Sequence, residues 1–265
     1  MFTPIGFFAP QGPTWTPADM NGIQYWWRAD LGVTLSGGTV TAWEDQIAGK
    51  TLIQEGGSAT APDYVASDTT MNNQAAIEFG NGGATFDSLT DNANRIFPSG
   101  TDFPFMWAVF STTNNGVGGY QVPLADKGSD GAAGQEFIVE FNHPSAANVI
   151  STYSYYLDAA GQSTQLSTAA RPDTGWIAIG VDNNDANAPG YLWVNSAKQT
   201  QWTVGSYEWG VPRGGIAISV GNYGPSGNLP YIGRILEVGF GLEEIDTDSM
   251  TNMNAYLNSR YGLSL

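Results

Sequence analysis

The sequence predicts an all-β fold: two packed antiparallel sheets closed by a single C-terminal α-helix. Three observations predict it. Short apolar runs are separated by clusters rich in Gly, Asn and Ser at intervals of about 8–12 residues, the spacing of a sandwich or barrel and not of βαβ units. Several runs alternate in period two, as in "FIVEF", where Phe137, Val139 and Phe141 share one face and Ile138 and Glu140 the other. Only the final segment changes to helical spacing.

Composition agrees. The chain has 265 residues, 42% hydrophobic and 12% aromatic, enough for one large buried core. Charged residues make up only 13%, whereas Gly (34) and Pro (14) are plentiful, as many short strands and turns require. The formal charge is −16. Phosphate contacts need Lys and Arg, so nucleic acid and anionic lipid are excluded as partners. There are no cysteines, so no disulfide staples the fold.

The elements follow in order. Residues 1–17, "MFTPIGFFAPQGPTWTP", lack a basic n-region and are broken by Pro4, Gly6, Pro10, Gly12 and Pro13. No signal peptide is expected there, and no stretch approaches the roughly 20 apolar residues of a membrane span. The segment reads as an extended arm. Phe2, Phe7 and Phe8 are its anchors, either for a neighbour's groove or for the domain's own core. Residues 18–265 read as one domain.

Its opening, "QYWWRADLGVTLSGGTVTAWEDQ", places Trp26 and Trp27 on opposite faces of a strand. One is expected in the core and the other beneath a loop or the arm. Trp43 is expected to pack where the next strand crosses. Further runs are "AAIEFG", "FPFMWAVFST", "EFIVEFN", "NVISTYSYYL", "GWIAIGVD", "YLWVNS", "GIAISVGN" and "RILEVGFG". The turns between them include "TTNNGVGG", "KGSDGAAG" and "NNDANAPG". In the last segment Ile245, Met250, Met253, Leu257 and Tyr261 fall at helical spacing. Asp246, Thr247 and Asp248 supply a cap and first-turn acids, Arg260 the last turn, and Gly262 the C′ position. The spacing predicts a helix over 247–260.

The order of the pieces resembles a known family. The aromatic opening, the strand ending in Phe79-Gly80, the hairpin "YLWVNS", the strand "GRILEV" and the helix ending "YLNSRYG" together resemble the concanavalin A-like, laminin-G-like jelly roll found in bacterial and phage proteins. The resemblance covers about 240 residues and rests on the succession of motifs, none of them specific alone. It implies a concanavalin A-like sandwich. Many relatives hydrolyse β-glucans with a strand motif Glu-x-Asp-x-(x)-Glu. The nearest match here, "EIDTD" (Glu244 to Asp248), sits in a helix cap. "EFIVE" puts Glu136 and Glu140 on one face without the Asp between them, and Glu140 is expected to face solvent. A retaining hydrolase needs two carboxyls about 5–5.5 Å apart.

Other chemistries find less. The single histidine, His143, precedes a proline in a turn, whereas a catalytic triad needs a buried, oriented imidazole. One His and no Cys cannot form a transition-metal cluster. Calcium takes oxygen ligands, and Asp182, Asn184 and Asp185, with Asn183 and Asn187, offer them in one loop; Asp126 and Asp130 are a second group. The same residues are ordinary turn formers. For a glycan or protein surface the candidates are Trp202, Tyr207, Trp209, Arg213, Asn222 and Tyr223, aromatics interleaved with polar groups.

The expectation drawn from these features is a non-enzymatic virion structural protein of a tailed phage, a capsid decoration or tail-fibre component, made in the host cytoplasm. It would join other virion proteins through its arm, form a homo-oligomer and reach host glycans. The alternatives are a secreted or surface carbohydrate-binding module and, third, a glycoside hydrolase.

Overall fold

The computed structural model describes residues 14–54, 59–80, 86–91, 105–112, 121–128, 135–141, 149–155, 162–181, 190–199, 216–222 and 229–265. A short 3₁₀ turn, Pro17–Asp19, leads into β1 (Ile23–Arg28), β2 (Val33–Ser36), β3 (Thr39–Glu44), β4 (Thr51–Gln54), β5 (Ala59–Thr60) and β6 (Asp63–Asp68). A second such turn, Thr69–Met71, precedes β7 (Gln74–Phe79), β8 (Phe86–Asp87), β9 (Leu89–Asp91), β10 (Phe105–Ser111) and β11 (Gln121–Gly128). There follow β12 (Gln135–Phe141), β13 (Val149–Tyr155), β14 (Gln162–Ala170), β15 (Thr174–Val181) and β16 (Gly190–Val194). The chain closes with β17 (Ala197–Lys198), β18 (Ile216–Val220), β19 (Gly233–Gly241) and one helix, α1 (Thr247–Tyr261). The fold is all-β, as the sequence predicts, and every run read as a strand forms one.

The pairings make two layers. One runs β6-β7-β19-β10-β15-β16-β17, with β1 beside the C-terminal half of β19. The other runs β14-β13-β12-β11-β18-β9-β4-β3-β2. They meet at the pair Thr39–Asp63 between β3 and β6. All these ladders are antiparallel, whereas the two-residue pair β5–β8 and the single bridge Val122–Pro230 are parallel.

Two apolar cores result, and β10 belongs to both. Its Met106, Ala108 and Phe110 enter the core between the layers, with Trp27, Trp43, Phe141, Val220 and Val238. Its Phe105, Trp107 and Val109 point the other way, onto α1, with Trp26, Trp176, Met253 and Leu257. A strand covered on both faces must read as an unbroken apolar run, which "FMWAVF" does. Glycines on β19 leave room for the aromatic side chains of β10 opposite them. A Cβ on Gly239 would lie 2.3 Å from the Trp107 indole, and one on Gly241 2.2 Å from the Phe105 ring.

The tryptophan pair splits across these cores. Trp27 lies between the layers and donates its indole N–H to the Trp43 carbonyl at 3.0 Å; Trp43 in turn donates to the Arg28 carbonyl at 2.8 Å. Trp26 faces the other side, and Tyr256 of α1 packs edge-on against it. Among the described residues the C-terminal helix covers Trp26, because α1 lies across the outer face of the first layer.

The helix ends where the sequence places its ends. Asp246 caps it by accepting the Ser249 N–H at 2.6 Å, and Gly262 closes it in the left-handed region at φ 68°. Ile245, Met250, Met253, Leu257 and Tyr261 are all buried. Glu140 departs from expectation. It is buried, 6% exposed, because β12 is an interior strand flanked by β11 and β13 whose outer side is covered at this position.

A polar tie lies on β6. Asp68 is fully buried and accepts from the Ser111 hydroxyl (2.9 Å), the Thr70 N–H (2.9 Å) and the Thr70 hydroxyl (2.6 Å), with Arg234 at 3.4 Å. Burial alone would raise its carboxyl. The Thr70 and Ser111 hydrogen bonds and the Arg234 charge outweigh burial and hold it below its ordinary 3.8. Because the folded value is depressed, its stabilising contribution is present above that ordinary value and lost as pH falls through the folded one. Melting temperature followed from pH 6 down to about pH 2 should therefore fall more steeply in the wild type than in Asp68→Asn.

Candidate functional site

The site is an open cleft beside α1. Three segments build it. Thr14 and Trp15 enter just before the first 3₁₀ turn. Asn72 and Gln74 come from the turn into β7. Asn252, Ala255, Tyr256, Ser259 and Arg260 lie along one side of α1, where Tyr256 also packs on the core beneath the helix. The enclosed volume is about 440 Å³, within the range of small-ligand sites.

Local sequence explains each wall. Asn72 and Asn73 both take the left-handed conformation, at φ 53° and 58°, which Asn tolerates better than most side chains. That turn swings Asn72 against the end of α1, where its Nδ2 donates to the Arg260 carbonyl at 3.0 Å. The contact satisfies a carbonyl that the helix terminus leaves without a partner. Trp15 packs edge-on against Tyr256, centroids 6.3 Å apart and planes at 71°. Tyr256 therefore stands between two indoles, Trp15 outside and Trp26 within. Asn252, Ala255 and Ser259 are exposed.

Beneath the cleft lies a charged floor. Glu237 is wholly buried. One carboxylate oxygen accepts from the Tyr256 hydroxyl at 2.7 Å and from the Tyr261 hydroxyl, and Arg260 Nε is 3.0 Å from it. The other accepts the Trp26 indole N–H at 2.9 Å. Arg260 reaches on to Asp30 at 2.7 Å, and Asp30 is paired with Arg28 at 2.8 Å. Burial raises the Glu237 carboxyl above the usual carboxylate range, against the lowering effect of Tyr261, Tyr256, Arg260 and Trp26. For Asp30, burial pulls upward, but the hydrogen bonds and charges of Arg260 and Arg28 prevail and hold it below 3.8. Desolvation also raises the Tyr256 and Tyr261 hydroxyls, which remain proton donors. The bulge between β10 and β19, at Val109/Phe110, lets Leu236 and Glu237 both join this outer side.

Of the residues nominated from the sequence, Trp202, Tyr207, Trp209, Arg213 and Tyr223 lie outside the described residues. So do Phe2, Phe7 and Phe8, the calcium candidates Asp182, Asn184 and Asp185, and His143 and Asp130. The side chains of Asp126 and Glu136 likewise fall outside the description. Asn222 is described, and it is not a surface contact. It is fully buried, and its Oδ1 accepts the Leu229 N–H at 3.2 Å. The "EIDTD" stretch supplies the helix cap through Asp246.

Sequence reasoning missed the cleft. One signal was present. "TDSMTNMNAYLNSRY" carries Asn252, Asn254 and Asn258 in a short helix, and Asn is a poor interior helix former. Only Asn258 has an evident local use, bonding residue 265 through both amide atoms.

The two-layer sandwich defines the class: an all-β jelly roll, mostly antiparallel, with a single C-terminal helix. No protein-family model matches the chain, and no curated protein matches it. Solved structures do. An arabinofuranosidase complexed with arabinofuranosyl-α-1,2-xylobiose is 13% identical, with 84% of this chain and 51% of that one covered and a TM-score of 0.52. The Trypanosoma rangeli sialidase is 10% identical, over 90% of this chain and 33% of that one, with a TM-score of 0.50. The CBM40 of Ruminococcus gnavus IT-sialidase is 13% identical, over 58% of this chain and 83% of that one, with a TM-score of 0.46. The chain thus spans about half the arabinofuranosidase and a third of the sialidase. At these identities the likeness establishes the fold.

These matches correct one expectation. The proteins matched are carbohydrate-active, not components of a phage particle, which overturns the reading as a capsid decoration or tail-fibre protein. The features behind that reading, an acidic surface and absent cysteines, are shared by sandwiches of many functions and did not discriminate.

Proposed function

We propose that the protein is a carbohydrate-binding module that holds a saccharide in the cleft beside α1 without cleaving it. The observation that carries this is the cleft's lining: the aromatic pair Trp15–Tyr256 flanked by the amides of Asn72, Gln74 and Asn252 and the Ser259 hydroxyl. A sugar ring has an apolar C–H face and an equatorial fringe of hydroxyls. Aromatic rings suit the first, and amide groups, which both donate and accept, suit the second. The Tyr256 ring is held in place by its bond to Glu237, so little is lost in ordering it on binding. The likeness of the fold to carbohydrate-active proteins supports the same reading.

The test uses Ala255, an exposed helix residue at the cleft. In Ala255→Trp the added indole should fill the cleft and abolish binding on a glycan array while melting stays within about 1 °C of wild type, as for a surface substitution. Undiminished binding in that variant would refute the site. Were Trp209→Ala instead to lose binding, the saccharide would belong to the 201–213 segment.

A further inference from the structure

Resting on that reading, we infer that the cleft selects uncharged sugars and rejects those bearing a carboxylate. Arg260 is the cation that lines it, and its guanidinium is already committed. Nε faces Glu237 at 3.0 Å and the Tyr261 hydroxyl at 3.1 Å, and Nη2 faces Asp30 at 2.7 Å. A carboxylate is bound well by a guanidinium edge that offers two parallel N–H groups. Here one edge would have to release Asp30 first.

The charge count points the same way. Arg260 and Arg28 stand against Asp30 and Glu237, with Arg28 Nε 4.0 Å from Glu237. Two cations and two carboxylates balance, so the floor supplies no net positive potential. Around them the chain carries a formal charge of −16, which repels anions approaching at low salt. The remaining lining is neutral: Asn72, Gln74, Asn252 and Ser259. Asn252 and Ser259 make no side-chain hydrogen bond among the described residues and remain available to hydroxyl groups. An entering carboxylate would be desolvated without a partner, whereas hydroxyls find donors and acceptors of their own kind.

Isothermal titration with matched pairs tests this: neutral oligosaccharides of glucose, galactose and xylose, each beside an analogue ending in a uronic acid, plus sialyllactose against lactose. For any neutral ligand that binds, the acidic partner should bind at least about tenfold more weakly, the cost of a buried group left unpaired. In Asp30→Ala, which removes the acceptor that holds Arg260 Nη2, the acidic partner should regain affinity while the neutral ligand is unchanged. Acidic sugars that bind the wild type as tightly as neutral ones, and lose binding in Ala255→Trp, would overturn the selectivity and leave the site standing. Absence of binding by every sugar would overturn both.

Discussion

Glu237→Ala is expected to lower the free energy of unfolding by about 3–5 kcal/mol, the cost of breaking a buried charged pair from one side. The substitution removes one carboxylate and strands several groups at once. The Tyr256 and Tyr261 hydroxyls, the Trp26 indole N–H and Arg260 Nε would all lose the acceptor they share. The Trp26 indole and the Tyr261 hydroxyl are buried and cannot turn to solvent. Urea denaturation of wild type, Glu237→Ala and Glu237→Gln measures the effect. The glutamine keeps an acceptor oxygen, so its loss should be the smaller. The pH dependence has its own sign. The folded carboxyl is raised by burial, so its favourable contribution is present below the ordinary glutamate value and lost as pH rises through the folded one. Glu237→Gln should remove that dependence, opposite in slope to the one assigned to Asp68. Equal stability of wild type and Glu237→Ala would mean that the network holds nothing together.

The second large effect concerns Gly239. Gly239→Ala should cost about 1–3 kcal/mol, the range for forcing extra atoms into a packed core. Here the added methyl meets the Trp107 indole at 2.3 Å, well inside contact distance. The indole cannot retreat, since Trp107 is fully buried among the residues beneath the helix. A double-mutant cycle separates clash from backbone effects. Trp107→Phe removes the pyrrole edge that includes Nε1, one of the atoms nearest the added methyl. Combined with Gly239→Ala it should cost less than the sum of the two single changes. Strict additivity would show that glycine serves at this position for some other reason.

How much of this could be read in the sequence depends on which residues carried a periodic signal. Strands buried on a face declared themselves: "FMWAVF" and "FIVEF" cannot be anything but core. Strand β14, "QSTQLSTAA", did not, because among the described residues it pairs with β13 alone, and it has no apolar alternation. Strand β11 was hidden by Pro123 and by Asp126-Lys127, which read as the start of a turn. The helix was legible from its stripe and caps. The cleft was not, since it joins Trp15, Asn72 and Arg260 from three distant segments, and no spacing rule connects them. Glu237 was invisible for a related reason: in "RILEVGFG" a glutamate among apolar residues reads as the solvent side, and only the helix laid across that side turns it into a buried anchor.

Strand β19 sits between β10 on one side and β1 and β7 on the other, and α1 follows it directly. Both follow every other described strand in chain order. Until they emerge, β10 lacks one neighbour, β1 lacks its partner and β7 has β6 on one side alone, while Trp107 and Trp176 have no lid. The first layer can therefore be completed only after translation of the domain is essentially finished, and the nascent chain presents sticky edges throughout. Expression that stalls or terminates before residue 241 should yield aggregates in place of a smaller folded product.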